Sequence, residues 1–426
     1  MDTPPKRPEG ATRIERRRAD ALMMITGLLA SSVLLSWLGF ADASGALSYL
    51  GRLTGFFMLI AAVLALVGAV AVIDYWGKER VANSGAVVLL GVLAVLLANL
   101  MILAIHAQGH EYTPYLVIWT VLTLWSVWAL WTLCHRKQVW ESIRSRPTFA
   151  VGVLVTGIIA VANFSYSQIY VPYSNPVLVS STVKFGEPVA NQNGGTLLPL
   201  RLRIKNTGKV AVYAIQSLYT VTGQKASHVK QERGPEGWKE EIDNLSNEIH
   251  QNVDIEGYYT IESGRFTEPG LWLEPGESLT EEKIVELPEA LPYQAVTATT
   301  YVNLARKDRL TLDSPSPKHS WKSSAQPAPS WVTGWGSGGD GVDYVQHTYT
   351  VQPSSILFEV TRIPKVITTW WVLDPSGPYL ATTISSPGEE DDPPTQKEVD
   401  SWVKRYGFIR TTSGTAELPV SGFPGQ

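Results

Sequence analysis

Residues 54–75 read TGFFMLIAAVLALVGAVAVIDY, with no charged side chain in the middle of the run. A helix rises about 1.5 Å per residue, so a run of this length reaches across the ~30 Å hydrocarbon core of a bilayer. Four more apolar stretches repeat the pattern on either side: Asp20 to Phe40, Gly85 to His106, Pro114 to Cys134 and Thr148 to Gln168. A charge at a helix centre costs ~2.5–3.5 kcal/mol on insertion, and none is present in any of them. The sequence therefore predicts a five-helix transmembrane domain over residues 20–168, solvated by lipid.

The flanking charges orient it. Lys6, Arg7, Arg13, Arg16, Arg17 and Arg18 precede the first span, and Lys78 and Arg80 separate the second from the third. Arg136, Lys137, Arg144 and Arg146 separate the fourth from the fifth. The alternate loops, Ala41 to Leu53 and Ala107 to Thr113, carry only Arg52 among Lys and Arg. Basic loops stay in the cytoplasm, so residues 1–19 form a cytoplasmic tail. An odd number of crossings then places everything after residue 170 outside, on a multi-pass cell-membrane protein. Ala41-Asp42-Ala43 offers a competing reading as a signal-peptidase site. The preceding apolar run is longer than a signal core, which favours retention.

Composition bounds the rest of the chain. Residues 1–169 hold 13 basic and 9 acidic side chains, and the remainder holds 22 and 30. An acidic external part gives no reason to expect nucleic acid as a partner. The single cysteine, Cys134, sits at the inner end of the fourth span. The external part therefore needs an ordinary apolar core rather than disulfides, as suits a bacterial surface.

Within the spans, Ala61, Ala65 and Ala69 recur every fourth residue, as do Gly152, Thr156 and Ala160. Small residues at that spacing let helix backbones approach. Ion-coupled transporters place ionisable groups at mid-membrane, whereas Asn99 and Asn163 carry no charge. Trp119, Trp125, Trp128 and Trp131 in the fourth span read as a lipid-facing or packing stripe.

Beyond Gln168 the period changes to that of strands. Leu200, Leu202 and Ile204 alternate with Arg201, Arg203 and Lys205, and Val296 to Leu304 alternates again. Asn206-Thr207-Gly208 and Glu274-Pro275-Gly276-Glu277 supply turns between runs. A strand ending in Asn206-Thr207-Gly208, followed by Leu273-Glu274-Pro275-Gly276-Glu277-Ser278 and a strand closing at Leu287-Pro288, resembles the Ig-like domains of bacterial surface proteins. The resemblance spans about 110 residues and implies a β-sandwich that binds, spaces or presents. It departs from that pattern in the stretch between the two turns, about 65 residues long. There Trp238, Ile242, Leu245 and Ile249 share one face of an amphipathic helix.

Residues 170–312 thus read as a β-sandwich lobe with a helical insertion. Residues 313–341, rich in Ser, Pro and Gly, read as a linker, and 342–426 as a smaller α+β lobe. The last lobe ends in an amphipathic helix carrying Val399, Trp402, Val403 and Tyr406, entered through Asp391-Asp392-Pro393-Pro394. The linker keeps Trp321, Trp331 and Trp335. A solvated tether has no need of three indoles, so at least one is expected to dock on a sheet. Trp331 and Trp335 are the candidate ligand-binding residues, an aromatic platform for sugar rings or cell-wall glycan.

Candidate chemistry is thin. His106 and His110 with Glu111 could begin a metal site, but Gly109 and Pro114 end the helix there, which favours a capping role. Glu389-Glu390-Asp391-Asp392 lacks the spacing of a calcium loop. No phosphate loop, nucleophile elbow or zinc-protease motif occurs, and neither a metal, a cofactor nor a catalytic residue is assigned. The expected function is non-enzymatic: a membrane protein presenting an extracytoplasmic binding or assembly domain to envelope proteins or cell-wall glycan. The alternatives are an accessory subunit of a transporter or channel, and a cell-envelope hydrolase.

Overall fold

A computed structural model describes residues 9–77, 84–109, 111–136, 174–191, 194–228, 234–243, 253–288, 292–322, 326–334, 342–374 and 377–420. The chain divides into two compact units. One contains residues 1–174 and 353–364, the other 175–352 and 365–426. Among the described residues the helices are α1 (Glu9–Gly45), α2 (Tyr49–Trp76), α3 (Ser84–Gly109), α4 (Tyr115–Trp131), α5 (Pro235–Asp243), α6 (Ser330–Thr333), α7 (Ile356–Thr361) and α8 (Gln396–Tyr406).

In the first unit, α1 to α4 supply four segments long and apolar enough to cross a membrane. The fourth continues through a π-helical turn, Thr132–Arg136. The fifth expected span, with Gly152, Thr156, Ala160 and Asn163, lies outside the described residues. Ala61, Ala65 and Ala69 are buried at the helix contacts, as their spacing predicts. Glycines bring the backbones closer still: a Cβ on Gly39 would stand 2.8 Å from the Gly55 carbonyl, and one on Gly91 2.9 Å from that of Leu64. Two side chains bond carbonyls across the bundle. Ser32 Oγ donates to the Ala62 carbonyl at 2.9 Å, and Trp125 Nε1 to that of Met23 at 3.2 Å. Phe56, Val63 and Val70 point outward, which in water would cost stability and in lipid does not.

Residues 353–364 come from the middle of the β region in sequence but pack with the helices. Leu357 and Val360 of α7 are buried in the helical core. Leu47 N donates to Ser354 O at 2.9 Å, and Ile356 N to Asp42 Oδ1 at 2.6 Å. Thr113 Oγ1 donates to Val360 O at 2.8 Å, and Ile363 N to Glu111 Oε2 at 2.5 Å. The segment thus clasps the end of the bundle where α1 turns into α2 and α3 into α4. Ala41-Asp42-Ala43 lies inside α1, and its Asp42 is buried as the acceptor for the first amide of α7.

The second unit is mainly β, in antiparallel sheets. The first sheet pairs β1 (Val179–Phe185), β2 (Val189–Ala190), β3 (Thr196–Asn206) and β7 (Ser278–Leu287). The second joins β4 (Val212–His228), β5 (Val253–Gly264), β6 (Trp272–Leu273), β8 (Ala295–Arg306), β14 (Ile409–Thr412) and β15 (Ala416–Pro419). The third contains β9 (Leu310–Leu312), β10 (Ser316–His319), β11 (Tyr344–Pro353), β12 (Lys365–Val372) and β13 (Tyr379–Ser385).

Leu198, Leu200, Leu202 and Ile204 of the first sheet meet Val296, Ala298, Val302 and Leu304 of the second in one core. These are the alternations read from the sequence. The other face of the second sheet packs Ile215 and Ala305 against Tyr349, Ile367 and Ile384 of the third, with Trp402 and Tyr406 of α8. The middle sheet is therefore buried on both faces, which explains the unbroken buried run Ile215–Val221 in β4.

Strands on either side of residues 313–341 share one core, and the stretch itself carries β10 and α6. In α5, Pro235–Asp243 is helical, while Leu245 and Ile249 lie outside the described residues. In α8, Trp402 and Tyr406 are buried, whereas Val403, one residue round the helix, is exposed. The helix is capped by Thr395 with Glu398, each bonding the other's backbone.

Candidate functional site

A cavity of about 560 Å³ opens within the second unit, in the size range of small-molecule sites. Strand register explains its lining. Arg410 and Thr412 of β14 lie across from Asn303 and Tyr301 of β8, and Tyr301 and Thr299 lie across from Leu218 and Thr220 of β4. Their sequence neighbours Ala298, Val302 and Leu304 point into the other core. Period-2 alternation therefore turns Thr220, Thr299, Tyr301, Arg410 and Thr412 to the opposite face, where they line the cavity. The facing wall is Pro378 to Ala381 from the start of β13, together with Trp331 of α6.

Trp331 is held there by a built support. Its ring stands edge-to-face on Trp370 of β12 at 5.3 Å, and Val332 beside it is fully buried. Tyr379 Oη donates to Val332 O at 2.8 Å, which ties α6 to β13. A second tie joins the middle and third sheets, where Asn303 Nδ2 donates to Thr382 Oγ1 at 2.7 Å. The indole expected to dock on a sheet does so, with one surface left to the cavity. Trp335 lies outside the described residues, and Trp321 is exposed beside His319.

Arg410 is the residue that sequence reasoning missed. Its side chain is exposed to solvent, and among the described residues its guanidinium has no hydrogen-bond or ion-pair partner and no carboxylate lines the cavity. Desolvation lowers its pKa from the usual value, although it stays cationic. The Tyr301 hydroxyl likewise has no partner among the described residues, and burial raises its pKa. Arg410 stood in the sequence as one more basic residue in a strand. Only register against β8 puts it beside the aromatic rings.

The histidine pair went elsewhere. His106 Nε2 lies 3.0 Å from Thr113 Oγ1, which in turn bonds the clasp, and Glu111 caps Ile363. His110 lies outside the described residues. Among the described residues no group of three or more His, Cys, Asp or Glu is arranged to hold a metal ion.

A separate buried histidine sets a pH dependence. His347 of β11 receives a hydrogen bond from Arg265 Nη2 at 2.9 Å on its Nε2. Burial first, then the Arg265 and His319 charges, push its pKa down to about 4. The unfolded chain, near the ordinary 6.5, binds this proton at higher pH than the folded chain does. Stability from this group is thus complete above the unfolded pKa and falls as pH drops from about 6.5 towards 4, by on the order of 3 kcal/mol. Denaturant titrations at stepped pH should show that slope, and His347→Gln should flatten it. An identical slope in the variant would assign the dependence to other groups.

No protein-family model matches this chain, and no curated protein matches it. Solved structures give only partial likenesses. The ApaA protein from Bordetella pertussis is 15% identical over 31% of this chain and 80% of its own, with a TM-score of 0.18. Spo0M, a sporulation control protein from Bacillus subtilis, is 10% identical over 57% of this chain and 91% of its own, with a TM-score of 0.17. At those scores neither likeness bears on fold or function.

Proposed function

We propose that this chain is a five-span, non-enzymatic membrane protein that holds a ligand-binding β unit on the outer face of the cell membrane. The observation that carries the reading is the clasp. Residues 353–364 dock where α1 meets α2 and α3 meets α4, while α4 runs from that end to the opposite one. A return crossing between residues 137 and 352 would be consistent with that docking. The apolar stretch Thr148 to Gln168 is long enough for one crossing. The basic residues flank the opposite end, which supports a cytoplasmic amino terminus.

Binding rather than catalysis is supported by what lines the cavity. Hydroxyls, aromatic rings and one guanidinium can hold a ligand, whereas glycoside hydrolysis needs a pair of carboxyl groups. The Ig-like reading is supported by the two turns that suggested it. Asn206 N donates to Glu277 O and Gly276 N to Asn206 O, both at 2.9 Å, so the turns meet. The third sheet on the far face of the second is an addition to that pattern.

Sidedness can be read with a membrane-impermeant maleimide on intact cells. Native Cys134 should stay unlabelled until lysis, while a cysteine placed at exposed Thr280 in a Cys134→Ser background should label at once. Protection of the Thr280 position in intact cells would invert the topology and end this reading.

A further inference from the structure

We propose that the cavity binds an acidic sugar, its carboxylate held by Arg410 and its ring laid against Trp331 and the neighbouring tyrosines. The proposal rests on the reading of the β unit as a binding module. Charge is the first argument. A guanidinium presents five donors in a planar fork that fits a carboxylate, and Arg410 meets no acceptor among the described residues. Acidic side chains outnumber basic ones after residue 169, at 30 to 22, yet among the described residues none lines this cavity. Arg410 is exposed to solvent, so a ligand carboxylate replaces water there rather than a described protein partner.

Shape and polarity narrow the ligand further. Trp331, Tyr258, Tyr301 and Tyr379 give flat apolar surfaces suited to the C–H faces of a sugar ring. The threonines among them carry hydroxyls that donate or accept equally well, as ring hydroxyls require. A bare inorganic anion would make no use of the rings, and a lipid tail none of the hydroxyls and the charge. The unpartnered Tyr301 hydroxyl adds one more orienting group.

The test uses the full-length chain in detergent with three probes: a glucuronic acid oligosaccharide, a neutral glucose oligosaccharide of equal length, and inorganic phosphate. Calorimetry should show the acidic oligosaccharide binding at least tenfold tighter than either of the others. Arg410→Gln should remove that advantage, bringing the acidic oligosaccharide down to the affinity of the neutral one. The substitution breaks no hydrogen bond or ion pair among the described residues, and an unchanged thermal midpoint verifies folding. Tyr301→Phe, which keeps the ring, should weaken both sugars about threefold.

Neutral sugar binding as tightly as acidic, or acidic affinity surviving Arg410→Gln, would overturn the acidic-sugar proposal while leaving a binding module. Phosphate matching the acidic sugar would reduce the site to an anion site and also overturn it. Failure of all three probes on folded protein would end the proposal. The maleimide labelling then reports separately on the membrane topology.

Discussion

Asn206→Ala should destabilise the β unit by about 3 kcal/mol, because one buried amide joins two turns that are far apart in sequence. Asn206 is fully buried. Its Nδ2 donates to Val210 O at 2.8 Å and to Leu273 O at 3.0 Å, while its Oδ1 accepts from Gly208 N at 3.0 Å. Alanine removes all three bonds. The Gly208 amide keeps its bond to Leu178 O, but Val210 and Leu273 lose the side-chain donor that serves them. Leaving a buried polar group unsatisfied costs about 1–3 kcal/mol, and two such groups set the expected total. That is a large share of the ~5–15 kcal/mol by which a domain is stable. Urea unfolding followed by the circular dichroism of the sheets measures it directly. Asn206→Asp, which keeps the acceptor and loses the donor, should fall between the wild type and alanine. A loss below half a kilocalorie for alanine, on a scale where ~1 kcal/mol is a typical hydrogen bond, would mean that the amide does not hold the turns together.

Leu357→Ala should open the clasp. Leu357 is 3% exposed and buried with Val360 in the helical core, and removing such a side chain costs about 2–5 kcal/mol. The segment is short, so most of that loss should appear as local opening rather than as unfolding of α1 to α4. At ~3 kcal/mol the open population rises roughly a hundredfold. Hydrogen exchange supplies the readout, since the Ile356 amide is tied to Asp42 and the Ile363 amide to Glu111. Both should lose protection together, and protease should gain a cut between Pro353 and Pro364. Unchanged protection at both amides would show that α7 is held by something other than its apolar contact.

Much of the fold was legible because the determining signals are local. A span announces itself by twenty-odd residues without a charge, and four of the five expected stretches coincide with helices long enough to cross. Leu200, Leu202 and Ile204 alternated with charges and are indeed the inward face of β3. Composition says less about packing: residues 313–341 are rich in Ser, Pro and Gly, and Trp331 and Val332 pack there against Trp370.

The candidate site was half legible. Trp331 stood out because an indole in a polar stretch must find apolar surface or pay in exposed area. Arg410 carried no such signal, because nothing in its local sequence sets it apart from any other strand arginine. Asp42 was read in its local Ala-Asp-Ala setting, although its partner lies 314 residues away in the chain.

From its sequence alone this protein owes its apolar helices and its alternating strands, since burial in lipid or against one sheet face is set residue by residue along each element. Tertiary structure decided the rest: the clasp on the helices, the third sheet, and the sharing of one cavity by Arg410 and Trp331. Those depend on which distant elements come together, and side-chain periodicity fixes the face of an element without fixing what that face will touch.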